Sequence, residues 1–470
     1  MSTTFPMRGF SGINRGTSPF LTTEGELYDT RNLKTDKIGV LKKTGDYTLK
    51  NARITASQPI LGGVDFDRAT GTHEHFVAID GGTNAGIYKD VVGTWTTQSQ
   101  TLTKNYKVRF AYEPTLDTLF AVNFVDATRS YNGTSWSTST NVTDAPKAKY
   151  VIPFGRRVYL LNTDISGTKY PTRAYRSSLV DSGSATWDVT NDWVTFDDVI
   201  TGVGYNGENM FVGCQNSTHI FTLNDERYKI GSKGVVSADS IAWQDELTFY
   251  ATRDGMYVYT GAKPQKLSRS VQDYWDAIPE ANLSAIQAEI VGDYLYVYIG
   301  DITVDGESYS NVLFMYDISQ NDWNKIELGE QVTDLHTYVT TTGKALFMGN
   351  DDGEVFQMFT GSAQNTVEFG SAFETHWIYG ADPKQILQWE EVWVFGSKIS
   401  GLQIFYKTDE QGWEPAGQLN SDADAVSLGD IKATRIKIRG QESSKNNMYE
   451  IYRADLTASP MYNKNKDREE

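Results

Sequence analysis

Two histidines in the segment THEHF, His73 and His75, are the first residues whose type and spacing could do chemistry. On a strand, residues two apart face the same side, so the two imidazoles could share a metal ion. The other histidines, His219, His336 and His376, are scattered, and no carboxylate stands at a recognised ligand spacing. A metal site needs more ligands than two, so the pattern favours exposed or hydrogen-bonded histidines, and we expect no metal ligand.

The segment GVGYNG, with Gly202, Gly204 and Gly207, matches a dinucleotide-binding fingerprint by its letters. A true fingerprint follows a strand and opens a helix, whose N-terminus meets the pyrophosphate. Here the glycines lead into the apolar segment NMFVGC, and Asn206-Gly207 is typical of a hairpin turn. We therefore expect no cofactor.

Two acidic loops, GNDDGE at 349–354 and DITVDGE at 301–307, resemble calcium-binding loops. Neither supplies the full twelve-position ligand set. Asp and Asn beside Gly are also what tight turns require, because their side chains bond the local backbone. The two segments are predicted to be turns.

Catalytic signatures are weak throughout the chain. KTDEQGW at 407–413 resembles the aspartate-box turn of sialidases, but its spacing is compressed and it occurs once. The single cysteine, Cys214, has no His-paired signature around it and is predicted to be a buried strand residue. No nucleophile elbow, P-loop or zinc helix is found. The separation of two catalytic carboxylates is a distance in space, so such a pair cannot be recognised from spacing in the sequence. We assign no catalytic residue and expect no enzyme.

Composition indicates that β-strands position these residues. Aromatics make up 13% of the 470 residues, with 27 Tyr and 11 Trp, and such side chains pack well across pleated sheets. The 43 basic and 60 acidic residues give a formal charge of −17. This balance argues against wrapping around phosphate, because affinity for nucleic acid depends on clustered Lys and Arg. An acidic surface would instead repel DNA.

No membrane or secretory segment is visible. The chain has no run of about eighteen apolar residues, so we expect no membrane insertion. The start, MSTTFPMRGF, has no apolar segment after its charge, so no secretory signal is predicted and synthesis in a cytoplasm is expected.

Period-two runs bounded by turn residues recur through most of the chain. Each unit has an apolar strand, a turn with Gly or Asn, a second apolar strand and, in several units, a Trp. Self-similarity at such spacing is typical of radial β-repeats, because one blade cannot bury both its faces alone. The alternative is a stack of unrelated hairpins. We predict an all-β protein with a β-propeller of about seven blades at 58–361, from units at 73–95, 117–136, 156–196, 208–223, 245–261, 292–323 and 344–361.

One segment, Leu267–Ile286, indicates a short helix between two blades, with Ser268 or Ser270 as its cap. After Gly361 the strands lengthen and alternate cleanly, which predicts a small C-terminal antiparallel β-sandwich at 364–456. The charged residues 457–470 are expected to be a flexible tail.

The remaining segment, 1–57, is predicted to be an N-terminal hairpin or arm. Its stretch LYDTRNLKTDKIGVLKKTG at 27–45 carries five basic residues, Arg31, Lys34, Lys37, Lys42 and Lys43. They could form a phosphate patch, but such charge runs are usually a solvated face. We expect a hairpin that turns at Lys37–Gly39 and docks on the propeller or on a neighbouring subunit. Replacing Lys42 and Lys43 by Gln is then expected to disturb assembly little.

The same stretch resembles a motif of the tail hub or nozzle proteins of short-tailed bacteriophages, including their packaged-DNA-stabilisation proteins. Thr44 stands where that motif usually has Pro, and Lys43 where it has Arg. The segment KLSRSVQDYWDAI is similar to one that these proteins carry between blades, and the region from FETHWIYG to TDEQGW is like their appended sandwich. The matching positions of the first motif are Thr30-Arg31-Asn32-Leu33, Asp36, Gly39, Leu41, Lys42-Lys43 and Gly45.

The resemblance implies a virion structural protein that forms a homo-oligomeric ring, usually sixfold, below the portal and adaptor. Such a ring holds back the genomic DNA and conducts it during ejection, and no catalytic residues come with it. Nozzle, hub and another tail or collar ring stay open as placements. Two other functions stay open: a carbohydrate-binding or glycan-cleaving propeller acting as a phage adhesin, with exposed Trp and Tyr at blade tips, and an intracellular scaffold for peptides.

Overall fold

The computed structural model describes residues 2–16, 24–443 and 448–461, and nearly all of its regular structure is β-strand. Seven four-stranded antiparallel sheets, here called blades 1 to 7, are arranged as a β-propeller. The first strand of each blade contacts the first strands of the two neighbouring blades, and blade 7 returns to blade 1. These seven inner strands therefore surround the axis, as predicted for a propeller of about seven blades.

The strands of blades 1 to 4 follow one another directly along the chain. From inner to outer strand, they are Ile60–Asp67, His73–Asp80, Ala85–Val91 and Thr94–Thr97 in blade 1; Arg109–Glu113, Thr118–Val122, Arg129–Tyr131 and Trp136–Ser137 in blade 2; Lys147–Phe154, Arg157–Ile165, Thr168–Arg176 and Trp193–Thr195 in blade 3; and Ile200–Asn206, Asn209–Cys214, Thr218–Phe221 and Arg227–Gly231 in blade 4.

Blades 5 and 6 follow the same plan, whereas blade 7 takes its outer strand from the N-terminal part of the chain. The strands are Ala242–Gln244, Leu247–Thr252, Gly255–Tyr259 and Gln265–Lys266 in blade 5; Gln287–Val291, Tyr294–Val304, Glu307–Asp317 and Asp322–Glu327 in blade 6; and Val332–Thr340, Gly343–Asn350, Val355–Met358 and Tyr47–Leu49 in blade 7.

The outer strand of blade 7 closes the propeller. Tyr47–Leu49 pairs antiparallel with Val355–Met358, in the register Met358 to Tyr47 and Phe356 to Leu49. The Tyr47 side chain is buried, and its ring meets the edge of Phe356 with 5.2 Å between centroids. The two ends of the propeller are thus joined by hydrogen bonds within one sheet.

The repeat units found in the sequence correspond mainly to the second, third and fourth strands of the blades. Their tryptophans mostly lie in outer strands and pack inward: Trp323 of blade 6 is buried, and Trp136 of blade 2 lies 5.2 Å from the Tyr131 ring. The repeat pattern largely missed the inner strands, because neighbouring blades crowd them and small residues replace the usual apolar alternation. A Cβ on Gly62 would lie 2.0 Å from the Val108 carbonyl oxygen.

The helical segment between blades 5 and 6 is shorter than predicted. It consists of a 3-10 turn at Ser268–Val271, an α-helix at Gln272–Asp276 and a second 3-10 turn at Glu280–Ala285. The Ser268 hydroxyl accepts the backbone N–H of Met256 and caps no helix. Further 3-10 turns lie at Pro114–Leu116, Val180–Ser182 and Ala238–Ser240.

A β-sandwich of two sheets combines strands from both ends of the chain. The six-stranded sheet has the order Ala423–Ala433, Leu387–Ser397, Glu450–Pro460, Leu41–Lys43 and Leu33–Thr35, with Thr3–Arg8 also paired to Glu450–Pro460. The seven-stranded sheet has the order Ser11–Ile13, Glu26–Arg31, Ser371–Thr375, Arg435–Glu442, Gln403–Thr408 and Glu414–Gln418, with Ile378–Tyr379 paired to Arg435–Glu442. Leu27, Leu33 and Leu41 share one buried core with Trp389 and Ile436.

The structure divides the chain differently from the sequence prediction of an arm at 1–57 and a sandwich at 364–456. The expected hairpin is present, with Leu33–Thr35 paired to Leu41–Lys43, but it belongs to the sandwich. Residues 457–460, expected in the tail, continue the strand Glu450–Pro460, and 462–470 lie outside the described residues. Within the described part of the chain, no helix has the length and apolar character needed to cross a membrane.

We expect Tyr47→Ala to lower the free energy of unfolding by about 3–5 kcal/mol, because it removes a buried aromatic ring from the closing strand. Denaturant unfolding of purified protein measures the change. The matched control is Thr48→Ala, at the next and exposed position of the same strand, with an expected loss below about 1 kcal/mol. Equal losses in the two variants would contradict a closing role for the Tyr47 side chain.

Candidate functional site

The seven inner strands enclose an axial cavity, which is the candidate binding site of the propeller. Its larger part has a volume of about 380 Å³. Trp243 is 43% exposed there although its side chain is large and apolar. Concave, aromatic-lined cavities with a few polar groups are the usual form of ligand sites. The aromatic and charged residues that line this part are Asp65, Phe110, Tyr112, Tyr205, Trp243, Glu289, His336 and Lys344.

Glu289 is the carboxylate at the middle of this cavity, where it lines both the larger part and an adjoining part of about 200 Å³. Burial raises the pKa of Glu289, and the positive charge of Lys344 opposes that rise. The cavity therefore combines aromatic faces with an acidic group that is easier to protonate than an ordinary glutamate. It could hold a small ligand with an apolar face and a hydrogen-bonding edge.

An ion pair lines the adjoining part of the cavity. Arg109 donates from Nε and Nη2 to Oδ1 of Asp239, at 3.1 Å and 3.0 Å, and the Lys107 ammonium lies 3.8 Å from the same carboxylate. Burial would raise the pKa of Asp239, but Arg109, Lys107 and Lys149 together hold it below its usual value. The carboxylate is thus kept ionised between three cations.

A chain of three side chains lies where blade 7 meets blade 1. The Nε2 atoms of His75 and His336 are 2.7 Å apart, and Nδ1 of His336 lies 2.7 Å from Oδ2 of Asp334. The Asp334 carboxylate can only accept, so His336 donates from Nδ1 and, when neutral, accepts at Nε2 from His75. His75 is fully buried and stacks on Tyr338 with 4.4 Å between centroids.

The contacts from His75 through His336 to Asp334 join two histidines that lie far apart in the sequence. His336 stands 261 positions after His75, so no spacing rule could have found the pair. His73 instead lies 2.9 Å from Oδ2 of Asp65 through its Nδ1. Among the described residues, no group of three or more His, Cys, Asp or Glu side chains is arranged to hold a metal ion.

The other sequence motifs have structural roles. A Cβ on Gly202 would lie 2.6 Å from Ile241, and one on Gly204 2.8 Å from Trp243, so these glycines allow blades 4 and 5 to approach. Gly207 has φ of +55° in a hairpin turn, one residue later than the predicted turn centre. Cys214 is buried, which raises the pKa of its thiol to about 12.

The acidic loop at 349–354 is a turn held by internal bonds. Oδ1 of Asn350 accepts the backbone N–H groups of Asp352 and Glu354 at 3.0 Å and 2.8 Å. Arg53 lies 2.7 Å from Asp352 and 2.8 Å from Glu354, so a cation of the chain itself offsets part of the negative charge of the loop.

The acidic loop at 301–307 forms the tip of a long hairpin of blade 6 that reaches the sandwich. Asp305 pairs with the Arg15 guanidinium and accepts the Tyr28 hydroxyl at 3.0 Å. Glu307 lies 3.2 Å from Arg439. Arg15, Tyr28 and Arg439 belong to the sandwich side, so the loop is a contact between the two parts of the molecule.

Lys325 and Asp29 form the centre of that contact. The Lys325 ammonium is fully buried, lies 2.9 Å from the Asp29 carboxylate and sits 3.4 Å from the centre of the Tyr309 ring. Burial lowers the pKa of Lys325, and Asp29 opposes the change. The Tyr274 hydroxyl also donates to Asp29 at 2.6 Å. The propeller and the sandwich are thus joined through a buried ion pair with aromatic walls.

The basic stretch at 27–45 is engaged within the molecule. Lys34 stands 5.6 Å from the centre of the Tyr294 ring, and burial lowers its pKa. The other four cations pair with carboxylates: Arg31 with Glu327 at 2.9 Å, Lys37 with Asp293 at 2.8 Å, Lys42 with Asp36 and Glu450 at 3.1 Å each, and Lys43 with Glu442 at 2.6 Å. All five cations of the stretch are therefore engaged by contacts within the chain itself.

Comparisons with known proteins give matches to solved structures alone. No family model matches the chain, and no curated protein is similar to it. In fold it is similar to YCF48 from Cyanidioschyzon merolae, at 10% identity and TM-score 0.42, with 66% of this chain and 98% of that one covered.

Two further solved structures have the same degree of similarity. A catalytically inactive virginiamycin B lyase from Staphylococcus aureus, determined with quinupristin, is 10% identical with TM-score 0.44, and the match covers 67% of this chain and 100% of that one. Sqt1 from Saccharomyces cerevisiae is 9% identical with TM-score 0.39, covering 67% and 99%. Matches of this identity and TM-score carry neither a family nor a function to this chain.

The buried His75 should make stability depend on pH. Burial lowers its pKa well below 6.5, and His336 and Lys50 lower it further, so below pH 6.5 the unfolded chain binds a proton that the folded chain does not. Stability contributed by neutral His75 is therefore lost as pH falls, by at most about 1.4 kcal/mol per pH unit. We expect His75→Gln, which cannot be protonated, to flatten the dependence of unfolding free energy on pH between about pH 6.5 and 5.

Denaturant unfolding at several pH values measures this slope. The control is His73→Gln, two residues earlier on the same strand and partly exposed. An unchanged slope in His75→Gln, or the same flattening in both variants, would exclude His75 as the origin.

The adjacent lysines Lys42 and Lys43 should differ in their effect on folding stability when each is replaced by Gln. Lys43 has no exposed side-chain surface, and its loss leaves the Glu442 carboxylate buried without that partner, so Lys43→Gln should cost about 3–5 kcal/mol. The Lys42 side chain is 33% exposed, and Lys42→Gln should cost about 1 kcal/mol or less. Thermal and denaturant unfolding of the two variants test the difference, and equal costs would rule it out.

Proposed function

We propose that this protein is a structural component of a virion tail, whose subunits form a ring below the portal and adaptor. The ring retains the genomic DNA and conducts it during ejection. Within this proposal the protein is not an enzyme, its partners are copies of itself and neighbouring tail proteins, and it acts in the virion after synthesis in the host cytoplasm.

The observation that carries the proposal is the interlock of the two chain ends. Thr3–Arg8 pairs along Glu450–Pro460, and the hairpin of Leu33–Thr35 and Leu41–Lys43 extends the same sheet. The resemblance to tail hub and nozzle proteins rests partly on this hairpin. Its residues contribute to a sheet that ties both ends of the chain together, which suits a subunit that must resist mechanical load.

The contact between propeller and sandwich supports the same role. A buried ion pair is weak evidence for stability, but it can fix the orientation of the parts that it joins. Lys325 and Asp29 at the centre, with Arg15 and Asp305 at one side, define one orientation of the sandwich on blade 6. A subunit of defined shape is what a closed ring of identical copies requires.

In this proposal the DNA passes between the subunits, through the centre of the ring. The propeller cavity is too small, because a volume of about 380 Å³ cannot admit a duplex whose major groove alone is about 12 Å wide. The formal charge of −17 supports a lumen along which phosphates slide without binding tightly.

The structure gives less support to a propeller that binds glycans through its blade tips. Such binding would need exposed aromatic side chains at the outer strands. Trp95 instead meets the His75 ring at 5.1 Å, and Trp136 packs on Tyr131. These two rings each pack within their own blade, and Tyr228 of blade 4 is the exposed aromatic of the described outer strands.

Size-exclusion chromatography with light scattering and negative-stain electron microscopy of the full-length protein test ring formation. We expect closed rings of about six subunits, and an antibody against the protein should label the tails of the corresponding phage particles. A strictly monomeric protein that is absent from particles would refute the proposal.

Two variants test whether the contact between propeller and sandwich is needed for ring formation. Asp305→Asn combined with Glu307→Gln weakens the hairpin contact to the sandwich and should reduce the fraction of rings. Lys42→Gln, in the exposed part of the hairpin near the N-terminus, should leave that fraction unchanged. Rings that form equally well in all variants would exclude sandwich orientation as a requirement.

A further inference from the structure

The outer face of the six-stranded sheet of the sandwich carries two exposed aromatic rings side by side. Trp393 and Phe395 lie on the strand Leu387–Ser397, with 6.3 Å between ring centroids and 17° between ring planes. Trp393 is 39% exposed, and Phe395 is half-buried. We call Trp393 and Phe395 the aromatic platform.

Strand alternation places the platform outward. Val392 and Val394 are fully buried in the sandwich core, so Trp393 and Phe395 must face the other side. On one neighbouring strand their partners are Ala425 and Ala423, and on the other they are Asp455 and Arg453. Alanines cannot cover a ring on the next strand, so Trp393 stays partly open to solvent, whereas Arg453 lies over part of Phe395.

Polar groups surround the rings and fix their positions. The Trp393 Nε1 donates to Glu391 at 3.0 Å. Arg453 lies over the Phe395 ring, 5.7 Å from its centroid, and donates from Nε to Asp455 at 2.7 Å. Glu391 is exposed and retains oxygen lone pairs for further hydrogen bonds, whereas Asp455 is buried and both its oxygens face Arg453. Tyr452 is a further exposed aromatic residue on the adjacent strand.

We propose that the aromatic platform is a glycan-binding site. A pyranose ring has a flat face of C–H groups and a rim of hydroxyls. The C–H face matches the electron-rich faces of Trp393 and Phe395. The hydroxyl rim matches the exposed acceptors of Glu391 and the guanidinium donors of Arg453 that Asp455 does not engage.

Charge and area favour a neutral glycan over two other occupants. Single-stranded nucleic acid also stacks on aromatic rings, but its phosphates need a positively charged groove, whereas Glu391 and Asp455 flank these rings in a chain of formal charge −17. A second copy of the chain would need about 800 Å² on each side, and two aromatic side chains supply at most roughly 500 Å². Glycan binding at this face goes beyond ring formation and does not depend on it.

The test uses the full-length protein and four neutral probes, cellohexaose, chitohexaose, maltohexaose and xylohexaose, with a single-stranded oligothymidylate as the nucleic-acid probe. Isothermal titration calorimetry and tryptophan fluorescence measure binding. We expect at least one oligosaccharide to bind and the oligothymidylate not to bind.

Variants then locate the site. Trp393→Ala and Phe395→Ala should each weaken binding about tenfold or more, whereas Trp393→Phe should keep most of it because a ring remains. Tyr228→Ala, an exposed aromatic on the outer strand of blade 4, is the control and should bind like the unchanged protein.

The proposal would be overturned if no oligosaccharide binds. It would also be overturned if binding survives Trp393→Ala or falls equally in Tyr228→Ala. The third contrary result is that the platform variants lose oligothymidylate binding or self-association instead of glycan binding. Light scattering of the same samples reports self-association. If the protein forms rings but binds no glycan, only the glycan proposal fails. If it binds a glycan but forms no rings, only the ring proposal fails.

Discussion

Closure of the chain on itself is the constraint on which the rest of this structure depends. Residues 47–49 complete blade 7, and residues 3–8 pair with 450–460 in the sandwich, so both parts join segments from opposite ends of the sequence. The hydrogen bonds of a sheet edge supply this closure, because an unpaired edge strand leaves its backbone donors and acceptors without partners. The propeller of seven blades is complete once the outer strand of blade 7 is in place.

Buried ion pairs then fix how the parts of the molecule meet. Lys325 of the propeller is buried against Asp29 of the sandwich, and within the sandwich Lys43 of one sheet is buried against Glu442 of the other, although lysine is among the residues least often buried. Each buried charge is costly without its partner, so an altered contact that separates the pairs is disfavoured. The acidic chain thus uses several of its cations inside the molecule, each beside a carboxylate, so burying these pairs leaves the net charge of the outer surface unchanged.

The axial cavity is a consequence of the same packing. Glycines at 62, 63, 202 and 204 let the inner strands approach, which brings His336 over Gly63 and into contact with His75. The resulting buried contacts from His75 through His336 to Asp334 lie where blade 7 meets blade 1. The fold therefore couples the protonation of one histidine to the junction between its first and last blades.

The sequence by itself determined the all-β class, the repeated blade plan and its number near seven, because strand alternation and turn residues are local and recur. It also identified the hairpin near the N-terminus and the turn character of the acidic loops at 301–307 and 349–354. Only the tertiary structure decided that the hairpin joins the C-terminal sandwich, that Lys43 is buried while Lys42 is exposed, and that His75 meets His336. Those contacts join residues up to several hundred positions apart, and pairing over such distances depends on the packed core, which no local pattern records.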